Sequence, residues 1–179
     1  MPAGGPTLAA AERSLPPPQL WLKRRTSQNM VIGGAAGAIP PLAGWAAAHG
    51  RLGLGAGCLF LIVLLWTPPH FWALALLLTR QYRAAGVPML PVARGVAATT
   101  RQVLSYTLAL VAASLLPGLT GTFGGLYLAA AVVLDGILCV LAWRLQREST
   151  AARAAVLFHY SLLYLALLFV AVAADSAIH

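Results

Sequence analysis

"LGAGCLFLIVLLWTPPHFWALALLL", residues 54 to 78, runs for 25 positions without an Asp, Glu, Lys or Arg. A helix rises about 1.5 Å per residue and the hydrocarbon layer is about 30 Å thick, so about 20 apolar residues are enough to cross a bilayer. The stretch therefore reads as a membrane-spanning helix. Inside it, Pro68 and Pro69 stand directly before an ionisable His70 that is flanked by Trp66, Phe71 and Trp72. Two prolines remove two helical N–H donors, and a kink near mid-membrane is expected.

Working outward, four more stretches have the same character: Val31 to Ala48, Gln102 to Leu119, Phe123 to Trp143, and Ala154 to Ala174. The one from Gln102 is short and bounded by Pro117. The runs are long, rich in Ala and Leu, and show no alternation of two faces, which favours helices over barrel strands. Over the whole chain 60% of residues are hydrophobic, only 9% are charged, and mean hydropathy is +0.80. A soluble domain with a wetted surface does not carry such values. The expected fold is all-α: a polytopic membrane helical bundle of about five spans, occupying residues 21–179. Residues 1–20 form a separate Pro-, Ala- and Gly-rich segment without the apolar run of a signal peptide, expected to be a disordered tail. Cys58 and Cys139 lie within apolar runs and imply no disulfide framework.

The net charge of +8 has a one-sided distribution. With the region before Val31 in the cytoplasm, the inside segments hold Arg13, Lys23, Arg24, Arg25, Arg80, Arg83, Arg94, Arg101, Arg144, Arg147 and Arg153, and the outside loops hold Arg51. That bias orients a multi-pass membrane protein with its N-terminus cytoplasmic and its C-terminus outside. The charge is a topology signal, not a nucleic-acid footprint. A second use, holding an anionic group at the cytoplasmic face, stays open.

An intramembrane histidine is costly unless it faces a partner, a cavity or a ligand. Trp66, His70, Phe71 and Trp72 are thus candidates for the wall of an apolar cavity, and a packed, satisfied histidine is the competing reading. Ten residues separate His70 from Arg80, about 15 Å of helix, which sets an apolar slot beneath a polar mouth. The mouth is expected in a loop from Arg80 to Arg101. There Arg80 and Arg83 suit phosphate oxygens, with Gln81 and Tyr82 as added donors, while Gly86, Pro88 and Pro91 turn the backbone. Lys23, Arg24 and Arg25 in "WLKRRTSQN" stand at the entrance of the first span. All these basic residues serve equally as topology determinants.

In the first span, Gly33, Gly34, Gly37 and Gly44 permit close helix packing, Gly33 and Gly37 form a G-x-x-x-G pair, and Pro40 with Pro41 should break or kink the helix. Asp135 lies mid-span in "AAVVLDGILC" and must face the interior or be held neutral. His159 reads as a packing or snorkelling residue. The acidic residues are Glu12, Asp135, Glu148 and Asp175, none near another in sequence, and no zinc spacing, phosphate-binding glycine loop or paired catalytic carboxylates are found.

Three blocks, "LKRRTSQNMVIGGAAGAIPPLAGW", "TPPHFWALAL" and "YRAAGVPMLPV", resemble in order the corresponding blocks of bacterial protoheme IX farnesyltransferases, or haem O synthases, membrane prenyltransferases of the UbiA type. The resemblance covers about Trp21 to Asp175. It implies a helical bundle in the cell's inner (plasma) membrane whose cytoplasmic mouth takes farnesyl diphosphate, usually with Mg²⁺, and whose apolar cavity takes the farnesyl tail and haem b. The implied reaction adds water and the farnesyl chain to a haem vinyl group, releasing diphosphate and forming haem O. On that reading Lys23, Arg24, Arg25, Arg80 and Arg83 face the diphosphate, and His70 touches haem or its vinyl environment.

Two departures from the family pattern bear on activity. The family has nine spans, and its first acidic motif precedes the blocks found here; this chain has the last five spans and lacks that motif. The family's aspartate before the tyrosine of the second loop is replaced by Gln81, a weaker ligand for Mg²⁺. No metal-ligating residue is therefore assigned, and the expectation is that these 179 residues do not carry out efficient prenyl transfer alone. A truncated product, a mis-started frame, or the C-terminal half of a split enzyme with a partner chain bringing the first four spans would each account for this. The alternative from another class is a non-catalytic haem-binding or oxidase-assembly membrane subunit; a transporter is weaker, because no repeat is evident.

Overall fold

The computed structural model describes residues 34–86 and 89–178. Among them the apolar runs become helices in this order: α1 (Ile39–His49), α2 (Leu54–Leu77), α3 (Thr79–Ala84), α4 (Leu90–Ala93), α5 (Val96–Leu119), α6 (Gly125–Arg147) and α7 (Ala151–Ile178). Four of these, α2, α5, α6 and α7, are long and apolar enough to cross a membrane. Only residues 120–124 join α5 to α6, and only residues 148–150 join α6 to α7. Connections this short make packed neighbours antiparallel.

The four long helices close into a ring, with α2 packed on α5, α5 on α6, α6 on α7, and α7 back on α2; α1 lies against α2. Inside the ring Ile62, Leu110, Tyr127, Leu138, Tyr164 and Leu168 are fully buried. Outside it Leu108, Val132, Val133, Leu163 and Val170 are more than half exposed. An apolar exterior over an apolar interior is the pattern of a bundle whose solvent is lipid.

Several sequence expectations are modified. The helix expected from Gln102 starts six residues earlier, at Val96, and carries Pro117 in its last turn. Its polar start is tolerated because Thr99 Oγ1 donates to the Gly95 carbonyl (2.9 Å) and Thr100 Oγ1 to that of Ala97 (3.2 Å), so both hydroxyls are buried without loss of a partner. The segment from Arg80, expected as a loop, contains α3 and α4 before α5 begins. The break expected at Pro40 and Pro41 falls just before them: helical residues 34–37 end in a turn at Ala38, and the prolines stand at the start of the new helix, where missing N–H groups cost little. Pro68 and Pro69, where a kink is expected, lie inside α2, which continues as one helix through both. Their missing N–H groups leave the carbonyls of Leu64 and Leu65 without helical donors.

Glycine enables close approach at two positions. A Cβ on Gly55 would lie 2.4 Å from the Trp45 ring, and one on Gly34 would lie 2.9 Å from Thr67 Cγ2. These contacts seat α1 and the turn before it against α2. Gly37 has nothing within 4 Å of such a Cβ, so it contributes no close helix contact, and its partner Gly33 lies outside the described residues.

Candidate functional site

On a helix, residues four apart share a face and residues two apart do not. Trp66 and His70 accordingly point together toward α7. The His70 ring is stacked between Trp66, with centroids 4.4 Å apart, and Phe158, at 4.7 Å. Its Nδ1 lies 2.7 Å from Ser161 Oγ, and Trp66 Nε1 donates to the Ser161 carbonyl at 2.7 Å. Ser161 Oγ carries one hydrogen, which it donates to the Phe158 carbonyl, also at 2.7 Å. The oxygen must then accept from His70 Nδ1–H. In the neutral ring this tautomer leaves a lone pair on Nε2.

The four aromatic-cavity candidates do not form one wall. Phe71 is exposed and meets His70 edge-on, with centroids 5.3 Å apart. Trp72 turns to the other side of α2 and packs T-shaped on Tyr106 of α5 at 5.2 Å. Trp72 Nε1 and Thr107 Oγ1 are the buried side-chain polar atoms without a hydrogen-bond partner among the described residues. Beside Trp66, an apolar groove of about 410 Å³ runs along α2 and α7, lined by Gly37, Pro41, Val63, Leu162, Leu165 and Phe169 among others. The groove adjoins Trp66, one wall of the His70 sandwich, while His70 itself is not part of its lining.

At the C-terminal end of α2, α3 carries Arg80, Gln81 and Arg83 exposed and Tyr82 half-buried. Gly86, with φ of 66°, turns the chain after them in a conformation that favours glycine. Because the ring is antiparallel, the same end of the bundle also holds Arg94, Arg101, Arg144, Arg147 and Arg153, while Arg51 sits at the other end. Among the described residues one ion pair occurs there, Arg153 to Glu148 at 2.6 Å. Lys23, Arg24 and Arg25 lie outside the described residues.

The two acidic residues within α6 and α7 are both engaged. Asp135 accepts from Ser114 Oγ at 2.6 Å and from Tyr164 Oη at 2.8 Å, tying α5, α6 and α7 together in the bundle interior. Asp175, near the far end of α7, accepts from the Gly124 N–H and, at 3.2 Å, from the Tyr127 N–H. It thereby caps the α6 N-terminus from another helix, where a carboxylate is favourably placed. His159 is exposed, with Nδ1 2.7 Å from the Ala155 carbonyl of its own helix, and meets Phe158, one wall of the His70 sandwich, edge-on at 5.2 Å. No three His, Cys, Asp or Glu side chains come together as a metal-ligand set among the described residues. With Asp135 and Asp175 committed and Glu148 paired with Arg153, these residues do not fit a Mg²⁺ site.

Ser161, Phe158, Ser114 and Tyr164 were not singled out from the sequence. The one signal for Ser161 was a small polar residue within an apolar span, a residue type that hydrogen-bonds across membrane helices.

The comparisons agree with the chain's own motifs. The UbiA prenyltransferase family model matches residues 15–173. The protoheme IX farnesyltransferase of Gloeobacter violaceus is 54% identical over 158 residues, covering 88% of this chain and 52% of that protein. That of Roseiflexus castenholzii is 53% identical over 159 residues, 89% of this chain and 30% of the relative. That of Thermus thermophilus is likewise 53% identical over 159 residues, 89% of this chain and 26% of the relative. The chain thus spans between about a quarter and a half of the length of these curated relatives. No solved structure matches it. Helices of membrane-spanning length, a basic end, an apolar groove and a family model that covers most of the sequence lead to one assignment: the chain belongs to the UbiA prenyltransferase family.

Proposed function

We propose that these residues form the C-terminal part of a haem O-forming prenyltransferase. In that reaction haem b, farnesyl diphosphate and water give haem O and diphosphate. The observation that carries the reading is the pairing of an apolar groove and a sandwiched His70 with the arginine-bearing α3 at the end of the same helix. Arg80 and Arg83 stabilise the departing diphosphate, the step that most needs positive charge. The groove takes the farnesyl tail and keeps water from the allylic cation-like carbon. His70 faces haem b through Nε2. The basic end lies at the cytoplasmic face of the plasma membrane, in keeping with the distribution of arginines.

The carboxylates that would hold Mg²⁺ come from outside the described residues, from spans that precede these in the family, supplied on the same polypeptide or by a partner chain. The 179 residues alone therefore do not turn over substrate efficiently. The lack of an acidic ligand set among the described residues also supports a second reading, a non-catalytic haem-binding subunit. It predicts haem binding without product even when the preceding spans are supplied.

The mouth assignment is tested in membranes that contain this chain together with the first four spans of a relative. Arg80→Gln with Arg83→Gln is expected to lower kcat/KM for farnesyl diphosphate roughly 100-fold, as loss of transition-state charge donors does, while the haem b absorption spectrum stays unchanged. Unchanged kcat/KM would move the diphosphate away from α3.

A further inference from the structure

A second basic feature lies on the opposite side of the ring from the α2–α7 groove. The first turns of α5 and the last turn of α6 enclose a groove of about 390 Å³, lined by Thr100, Arg101, Trp143, Gln146, Arg147 and Ser149, with Ala97 at its edge. Arg80 and Arg83 are not among its residues. Arg101 and Arg147 are both exposed and have no carboxylate partner among the described residues. The Arg147 guanidinium lies over the Trp143 ring, 5.3 Å from its centroid, which orients it without neutralising it. Ala97 is the second residue of α5, so helix N–H groups without helical acceptors add positive potential at the same place.

We propose that this groove binds the phosphate of an anionic phospholipid headgroup. Arg101 and Arg147 approach the phosphate from two different helices, and Gln146 and Ser149 offer neutral donors. Trp143 favours a lipid over a free phosphate. It is about half exposed at the end of a spanning helix, where an amphipathic ring sits at headgroup level, and it presents an apolar wall beside the charges. A ligand that carries acyl chain next to phosphate satisfies both surfaces. Bridging α5 and α6 at their open ends, the lipid would also hold together two helices whose direct connection is at the opposite end.

The test is native mass spectrometry of the full chain in nonionic detergent, with phosphatidylglycerol, phosphatidylcholine and inorganic phosphate as separate probes. Retention of one phosphatidylglycerol is expected in preference to phosphatidylcholine. Arg101→Gln with Arg147→Gln should weaken it roughly 30-fold, about fivefold for each arginine, and Arg51→Gln at the other end should leave it unchanged. Thermal unfolding of each variant verifies the fold, and Arg101→Ala alone carries the same test if the double variant does not fold. Equal retention of phosphatidylcholine, or undiminished retention by the folded variants, would overturn the proposal. Binding of inorganic phosphate as tight as that of the lipid would assign the groove to a free anion and overturn the lipid claim.

Discussion

Asp135→Leu is expected to lower the unfolding free energy by about 1–3 kcal/mol, because it leaves the buried Tyr164 hydroxyl without its acceptor, whereas Ser114 Oγ can turn to the Val111 carbonyl 2.9 Å away. Ser114 and Tyr164 both donate to this carboxylate, and all three side chains are buried. Interhelical hydrogen bonds in membranes average about 0.6 kcal/mol each, so most of the loss comes from the stranded Tyr164 hydroxyl and not from the bonds themselves. A triple variant separates the two contributions. Asp135→Leu with Ser114→Ala and Tyr164→Phe removes donors and acceptor together, and it should recover to within about 1 kcal/mol of the parent. Unfolding in mixed micelles, followed by circular dichroism, measures both. A triple variant as unstable as the single one would show that Asp135 acts through packing or through groups beyond this network.

The second large effect concerns His70. When haem b is titrated into the chain and followed by its absorption band, His70→Ala is expected to weaken binding by at least about 100-fold. Ser161→Ala is expected to weaken it by roughly tenfold, in the range found when a partner that orients a ligating histidine is removed. On that reading Ser161 is a positioning residue: it accepts Nδ1–H and so keeps the Nε2 lone pair directed away from it. Ser161→Thr restores the hydroxyl and should restore the affinity, a rescue that a purely steric role would not give. If Ser161→Ala lowers thermal stability but leaves haem affinity untouched, the histidine is a packed core residue with no ligand role.

Which parts of this could be read from residues alone follows from where each signal is stored. Spans were legible because apolar length is a local property: α7 contains the stretch expected from residue 154, α2 covers all but the last residue of that expected from 54, and α6 all but the first two of that expected from 123. The start of α5 was not, because Thr99 and Thr100 look polar in sequence and become acceptable only once their hydroxyls fold back on helix carbonyls. The break at Pro40 and Pro41 was legible from the prolines, but its place, the turn at Ala38 that leaves them at the start of a new helix, was not. The aromatic cluster around His70 was legible as a feature but not as a surface. Residues 66 and 70 share a helical face and 72 does not, a division that helical spacing already contained.

Partners were the least legible level. Ser161 is 91 positions from His70, and Ser114 and Tyr164 are 21 and 29 positions from Asp135. Only helix packing brings them together. The capping of α6 by Asp175 has the same origin, since its acceptor arrives from 48 to 51 residues away. The basic end, by contrast, was visible as a charge asymmetry, and the antiparallel ring turns it into a surface.

The most direct measurement is the amount of farnesylated haem, resolved by liquid chromatography and mass spectrometry, in membranes given haem b, farnesyl diphosphate and Mg²⁺. Membranes that contain this chain together with the first four spans of a relative should form haem O, and membranes that contain these 179 residues alone should form none above background. Haem O made by the 179 residues alone at the rate of the pair, or no haem O from a pair in which both chains are folded, would contradict the account.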